Sequence, residues 1–329
     1  MLGAVGIFAA IYWSLMGVEM GDVFARMGEA DLVLIAGVLL MTTLNLLIRA
    51  AVWKAIVRPM KSVSLYNAFT SYLVGVFSNL FLPFKLGDVA QGYSLGRKTA
   101  INKFSLVTTV LVQRVFEIAS LLIIMVIIAA LFSFPMLLER RNVVLVITVV
   151  LAIAFLVLLT FFKEQVITWV ERRLQVISPS FALTVKRGFY QFIDGTRAIN
   201  SLSDITRILT LSFLSWLVQI TMALLMAWSL DIRIDFISAS IVLLVINIGL
   251  LIPIAPGNIG TFQFFSIIAL SWFSVAKSKA LTFAILFQVV QGIPVIMGGG
   301  LSMMMELFAD RYRSEKNRNS NTDKTETTV

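Results

Sequence analysis

Apolar runs long enough to cross a bilayer recur along this chain, and the polar breaks between them define its plan. Leu2 to Val18, Leu32 to Trp53, Phe104 to Phe132, Asn142 to Phe162, Ile208 to Leu230 and Ala280 to Met305 each read as a full span. Two further stretches are apolar but interrupted. Ser62 to Leu82 ends at Pro83 and resumes as a more polar segment to residue 96, and Phe236 to Ile252 is parted from Phe262 to Val275 by PIAPGNIG. Each reads as a re-entrant pair of broken helices that enters and leaves on one side. The fold class is therefore all-α: a polytopic helical membrane protein with about six full spans and two re-entrant pairs. With one pair in each half, in opposite orientations, the pattern suggests an inverted repeat, although no strict sequence repeat is visible.

Charge orients these elements. Lys54, Arg58 and Lys61 crowd the loop after the second span, and Lys85, Arg97, Lys98 and Lys103 follow the first break. Glu19, Asp22, Glu29 and Asp31, then Asp231 and Asp235, lie at the opposite ends. The positive-inside rule puts the basic ends and both termini in the cytoplasm, in a multi-pass protein of the plasma or inner membrane. Lys277 and Lys279 depart from the rule by falling outside. Residues 1–305 form a single membrane domain. Within it, 163–207 mixes charges with Trp169, Phe181, Phe189, Tyr190 and Phe192, as an amphipathic connector on the cytoplasmic face or an ordinary link between spans. From Glu306 the chain turns polar, and 306–329 is expected to be a disordered tail.

Composition narrows the chemistry. At 59% hydrophobic residues and a mean hydropathy of +0.92, a soluble domain is excluded. There is no cysteine and no histidine. Disulfides, thiol nucleophiles, Ser-His-Asp triads, haem attachment and the usual zinc sites are thereby removed, and no catalytic residue, metal or cofactor is assigned. The net charge of +9 fits basic loops against anionic lipid headgroups rather than nucleic acid.

The candidate working part is SNLFLPFKLGDVAQG, Ser78 to Gly92. Polar groups and a broken backbone are costly at bilayer depth unless protein or a water-filled cavity surrounds them. Pro83 removes a backbone donor and Gly87 permits a turn, so a helix restarting near Gly87 offers N–H donors beside the Lys85 ammonium to a phosphate. Asp88 is placed to cap that helix, to hold Lys85, or to couple transport to a proton or cation. The plainer alternative is a simple turn with Lys85 and Asp88 as an interfacial ion pair. In the second break, Pro253, Pro256, Gly257 and Gly260 interrupt the helix, while Asn258 and Gln263 supply neutral amides suited to a headgroup or a cap; Pro-Gly is also ordinary loop punctuation. Arg114 and Glu117, three apart on one span and next to Gln113, form a functional candidate or a buried pair that fixes register. Arg49 is expected to snorkel to the end of its span. Gln288, Gln291, Pro294 and Gly298 to Gly300 read as marks of a kinked, closely packed last span.

Taken in order, N-x-x-LP-x-[KR]-x-G-[DE] at Asn79, Leu82, Pro83, Lys85, Gly87 and Asp88, the Arg114 to Glu117 span, and P-x-x-PG-x-x-G at Pro253 to Gly260 resemble the flippase-like membrane domain of lysylphosphatidylglycerol synthases, over about residues 5–305. The resemblance implies a domain that moves a phospholipid between leaflets, here without the soluble domain that attaches lysine. Gln91 and Tyr93 stand where an arginine is usual, and Gln113 and Gln263 where a glutamate is frequent. The expected ligand is a membrane lipid with a phosphate headgroup, an anionic phospholipid or a polyprenyl-phosphate lipid, received by Lys85 with Arg97 and Arg114. A transporter-like role is favoured over an enzyme. The rival readings are a membrane transferase acting on a lipid phosphate and a non-catalytic scaffold for an envelope-lipid biosynthesis enzyme.

Overall fold

The computed structural model describes residues 12–131, 202–250 and 256–326. Most of the expected first span, the span Asn142 to Phe162, the connector as far as residue 201, and Pro253 lie outside the described residues. Those that are described are helical, with no strand among them. In chain order they form α1 (Met20–Gly28), α2 (Leu32–Val57), α3 (Leu65–Phe81), a 3-10 turn (Pro83–Lys85), α4 (Gly87–Thr99), α5 (Lys103–Leu131), α6 (Leu202–Ser229), α7 (Phe236–Gly249), a second 3-10 turn (Pro256–Asn258), α8 (Thr261–Ser271) and α9 (Lys277–Glu326). Four of these, α2, α5, α6 and α9, are long and apolar enough to cross a bilayer.

Local chemistry sets the starts and stops. Asp31 caps α2 by accepting from the Val33 and Leu34 amides, Ser64 caps α3 at Asn67, and Asp235 caps α7 at Ser238. Pro83 ends α3, since a proline can neither donate nor continue the ladder.

Contacts at the helix ends fix the direction of travel. Lys61, before α3, donates to the Thr99 carbonyl at the end of α4 at 2.8 Å, so the first interrupted pair enters and leaves at one end of the bundle. Arg58 pairs with Asp204 across 4.0 Å at that same end. At the other end, the Asp31 amide donates to the Ser229 carbonyl at 2.9 Å, and Lys279 bonds the Asp231 carbonyl at 3.2 Å, where α7 and α8 begin and finish. Each half thus runs span, broken hairpin, span, with the hairpins entering from opposite ends. This is the inverted arrangement expected from the breaks, expressed in topology rather than in sequence.

The two hairpins meet at their tips. The turn Pro83–Lys85 contacts the turn Pro256–Asn258, and a Cβ added at Gly257 would lie 3.3 Å from the Leu80 carbonyl oxygen. Small residues permit equally close approach within each pair. A Cβ at Gly87 would run into the Gly75 carbonyl and Asn79, and one at Gly249 into the Phe265 ring. Gly299 packs against Phe77 and Leu73, which brings the last span onto α3 as the glycine run predicts.

Past Glu306, α9 continues to Glu326. Polar contacts hold the start of this stretch: Glu306 accepts from Ser94 at 2.6 Å and pairs with Lys98 at 2.7 Å, and Asp310 pairs with Arg97.

Candidate functional site

The broken backbone at the first tip is stored strain with side-chain support. Phe84 and Lys85 both hold left-handed dihedrals, φ 56° and 55°, which non-glycine residues adopt at a cost of ~1–3 kcal/mol each. Asn79 braces the turn from both sides: its Oδ1 accepts from the Gly87 amide at 2.8 Å and its Nδ2 donates to Asp88 at 2.9 Å. The restarted helix α4 therefore begins with a fixed Asp88.

Asp88 belongs to an ion network, and Lys85 does not. Arg114 on α5 reaches it with Nη2 at 3.1 Å and Nε at 3.5 Å, a forked contact of the strong kind. The same guanidinium holds Glu117 at 2.9 Å. Glu117 in turn sits 3.6 Å from Arg49 of α2 and accepts from Gln113 at 3.0 Å. Two arginines and two carboxylates balance one another, which is how charges persist at this depth. The Lys85–Asp88 pair of the plainer alternative is not what forms, because Asn79 and Arg114 take up both oxygens of Asp88.

Arg49 was expected to snorkel to the end of its span and is instead half-buried among neighbouring helices. It lies eight residues before the end of α2, ~12 Å along the axis, and its side chain turns inward. Its Nε donates to Ser215 and its Nη2 to Gln219, both at 3.2 Å, and it stacks over Trp216 at 5.8 Å. Ser215 passes the network to Asn45 at 2.7 Å. The Asn45–Arg49 spacing, one helical turn with both polar groups on one face of an apolar span, is the sequence signal that marks this residue.

These groups floor a cavity of about 510 Å³. Lys85, Asp88, Arg49, Arg114, Glu117 and Asn258 supply the polar side, and Val107, Leu111, Ile118, Leu122 and Met125 of α5 form an alkyl wall. Among the described residues Lys85 has no ion-pair partner, so its ammonium is the uncompensated charge at this cavity.

The structure brings Asn79, Pro83, Lys85, Gly87, Asp88, Arg114, Glu117 and Asn258 together and leaves Arg97 out. Arg97 lies ten residues along α4 from Gly87, paired with Asp310 and 5.8 Å over Tyr93. Pro256, Gly257 and Gly260 form the second tip. There Gln263 accepts from the Gly260 amide at 2.7 Å and donates to Gln288 at 2.6 Å, and Gln288 donates to the Gly257 carbonyl at 2.6 Å. Gln263 thus braces the second turn much as Asn79 braces the first.

The model of the lysylphosphatidylglycerol synthase TM region matches residues 1–299. A UPF0104 membrane protein of Methanocaldococcus jannaschii is 24% identical over 229 residues, covering 69% of this chain and 92% of its own. No solved structure matches the chain.

Proposed function

Because the chain belongs to the lysylphosphatidylglycerol synthase TM region family, a membrane family with a lipid-related role, we propose that it translocates a phosphate-bearing lipid between the leaflets. The observation that carries this reading is Lys85, an unpaired ammonium facing a cavity whose other charges cancel and whose far wall is alkyl. A phosphate supplies the missing countercharge, and acyl chains suit the α5 wall. Asp88 and Glu117, each clamped by arginine, hold the cationic groups in place. Opposed hairpins that meet at their tips suit alternating access by rocking of two inverted halves. The chain has no G-x-x-x-x-G-K-[ST] motif, so movement runs downhill or is coupled to an ion. The basic end of the bundle, with Lys54, Arg58 and Lys61, faces the cytoplasm on this reading.

The test is reconstitution into liposomes with headgroup-labelled lipids, followed by dithionite quenching from outside. Quenching beyond the outer-leaflet fraction for an anionic phospholipid, slowed roughly 10- to 150-fold by Lys85→Gln as a charge-assisted contact of ~1.5–3 kcal/mol requires, supports translocation. Folded protein that leaves the inner-leaflet label untouched for every lipid overturns it and favours a scaffold or transferase.

A further inference from the structure

Behind the charged cavity lies a second chamber of about 240 Å³. The two share Arg49, Asn247, Leu250 and Asn258 as a common wall. Its polar lining is mostly of one chemical kind: Asn45, Gln219, Asn247, Asn258, Gln288 and Gln291 are carboxamides, with the hydroxyls of Thr42 and Tyr72 and the Arg49 guanidinium beside them. Bonds within the protein use only part of their capacity. Asn45 Oδ1 accepts from Ser215, Gln219 Oε1 accepts from Arg49, Asn247 Nδ2 donates to Leu243, and Gln288 is engaged at both ends. The amide N–H groups of Asn45 and Gln219, the Asn247 oxygen, and both ends of Asn258 and Gln291 keep no partner among the described residues, and none of these atoms is sealed from the open space.

No carboxylate appears in this lining, and its cation, Arg49, is already matched by Glu117. A set of neutral donors and acceptors fits hydroxyls, which do both. It does not fit an ammonium, which donates only and needs an anionic acceptor to offset its desolvation. We propose that this chamber is the subsite for the uncharged polyhydroxyl part of the headgroup, a sugar, inositol or glycerol esterified to the phosphate that Lys85 receives. The assignment rests on the phosphate reading above. The turn carrying Lys85 abuts the turn carrying Asn258, so one headgroup spans the two sites. Amine-bearing headgroups gain nothing there, which sets this chain's preference against a lysylated or ethanolamine lipid.

Binding of short-chain lipids to the purified full-length protein in detergent, followed by native mass spectrometry, tests this. Phosphatidylmethanol gives the phosphate contact alone at the same charge as phosphatidylinositol; phosphatidylethanolamine adds an ammonium. Phosphatidylinositol is expected to bind roughly tenfold more tightly than phosphatidylmethanol, the effect of one or two neutral hydrogen bonds. Phosphatidylethanolamine is expected to bind no more tightly than phosphatidylmethanol. Gln291→Leu should erase the inositol preference while leaving phosphatidylmethanol affinity unchanged. Equal binding of inositol and methanol lipids, ethanolamine binding as tight as inositol, or an intact preference in folded Gln291→Leu overturns the subsite; the wild-type ratio alone decides it if that variant does not fold. Phosphatidylmethanol binding indifferent to Lys85→Gln removes the phosphate site itself, whatever the ranking of headgroups.

Discussion

Arg114 holds Asp88 at 3.1 Å across the gap between α5 and the restarted helix α4, while Lys85, three residues from Asp88, stays outside that bond. The consequence is a division of labour between two cations in one cavity. Arg114 is structural and Lys85 is available.

Their substitutions should therefore separate. Arg114→Gln leaves Asp88 and Glu117 facing each other with one guanidinium fewer, and breaking a buried pair from one side costs ~3–5 kcal/mol. A large drop in the thermal midpoint in detergent is expected. Lys85→Gln removes no ion pair or hydrogen bond among the described residues and should shift stability by no more than ~0.5 kcal/mol while weakening anionic-lipid binding roughly 10- to 150-fold. Equal destabilisation by the two would refute the division.

Gly87→Ala should destabilise the first hairpin through packing alone. The new methyl meets the Gly75 carbonyl and the Asn79 side chain that braces the turn. Overpacking of this kind costs ~1–3 kcal/mol, and Gly28→Ala, with nothing within 4 Å of its added Cβ, is the control. Thermal unfolding of the pair should differ by that amount.

The hairpin topology can be read from labelling, since the chain has no cysteine to mask the signal. Cysteines placed at Ser62 and at Ala100 should react with an impermeant maleimide from the same face of sealed vesicles, and one at Ser278 from the opposite face. Opposite faces for Ser62 and Ala100 would mean that residues 65–99 cross the membrane.

At the start of α7, hydrogen bonds from Ser238 hold the Asp235 carboxyl below the usual carboxylate range. A carboxyl lowered by folding stabilises the folded state at pH above its unfolded value, ~3.9, and that contribution fades as pH falls through the lower folded value. The thermal midpoint should decline on acidification below about pH 4, and Asp235→Asn, which still accepts from the Ser238 amide, should flatten that part of the profile. An unchanged profile would leave the cap without a role in acid stability.

Much of this architecture is legible in the chain because breaks in apolar runs are local events. Pro83 ends α3, and Pro256, Gly257 and Gly260 part α7 from α8, so the hairpins follow from them. The ion network is different in kind. Arg49 and Glu117 are 68 residues apart, and their pairing depends on how α2 and α5 cross, which no local pattern encodes. Arg49 appeared near a span's end only because the apolar run seemed to stop at Trp53; the helix carries on to Val57 through Lys54. Arg97 misled in the reverse sense. Its basic character suggested the cavity, but three turns of α4 carry it to Asp310, on a stretch whose polarity disguised a helix. The second chamber was the least visible, since its carboxamides come from five separate segments and each alone reads as packing or a cap.

The contact between the hairpin tips also has an electrical meaning. If polar breaks from opposite faces meet inside the bundle, the membrane voltage falls mainly across the thin layer between them, not evenly over ~30 Å of hydrocarbon. A singly charged phosphate passing Leu80 and Gly257 would then do most of its ~2.3 kcal/mol per 100 mV of electrical work within a few ångströms. On the proposed reading, those two backbone turns act as the dielectric of a small capacitor, and the leaflet in which an anionic headgroup accumulates is set by the cell's resting potential.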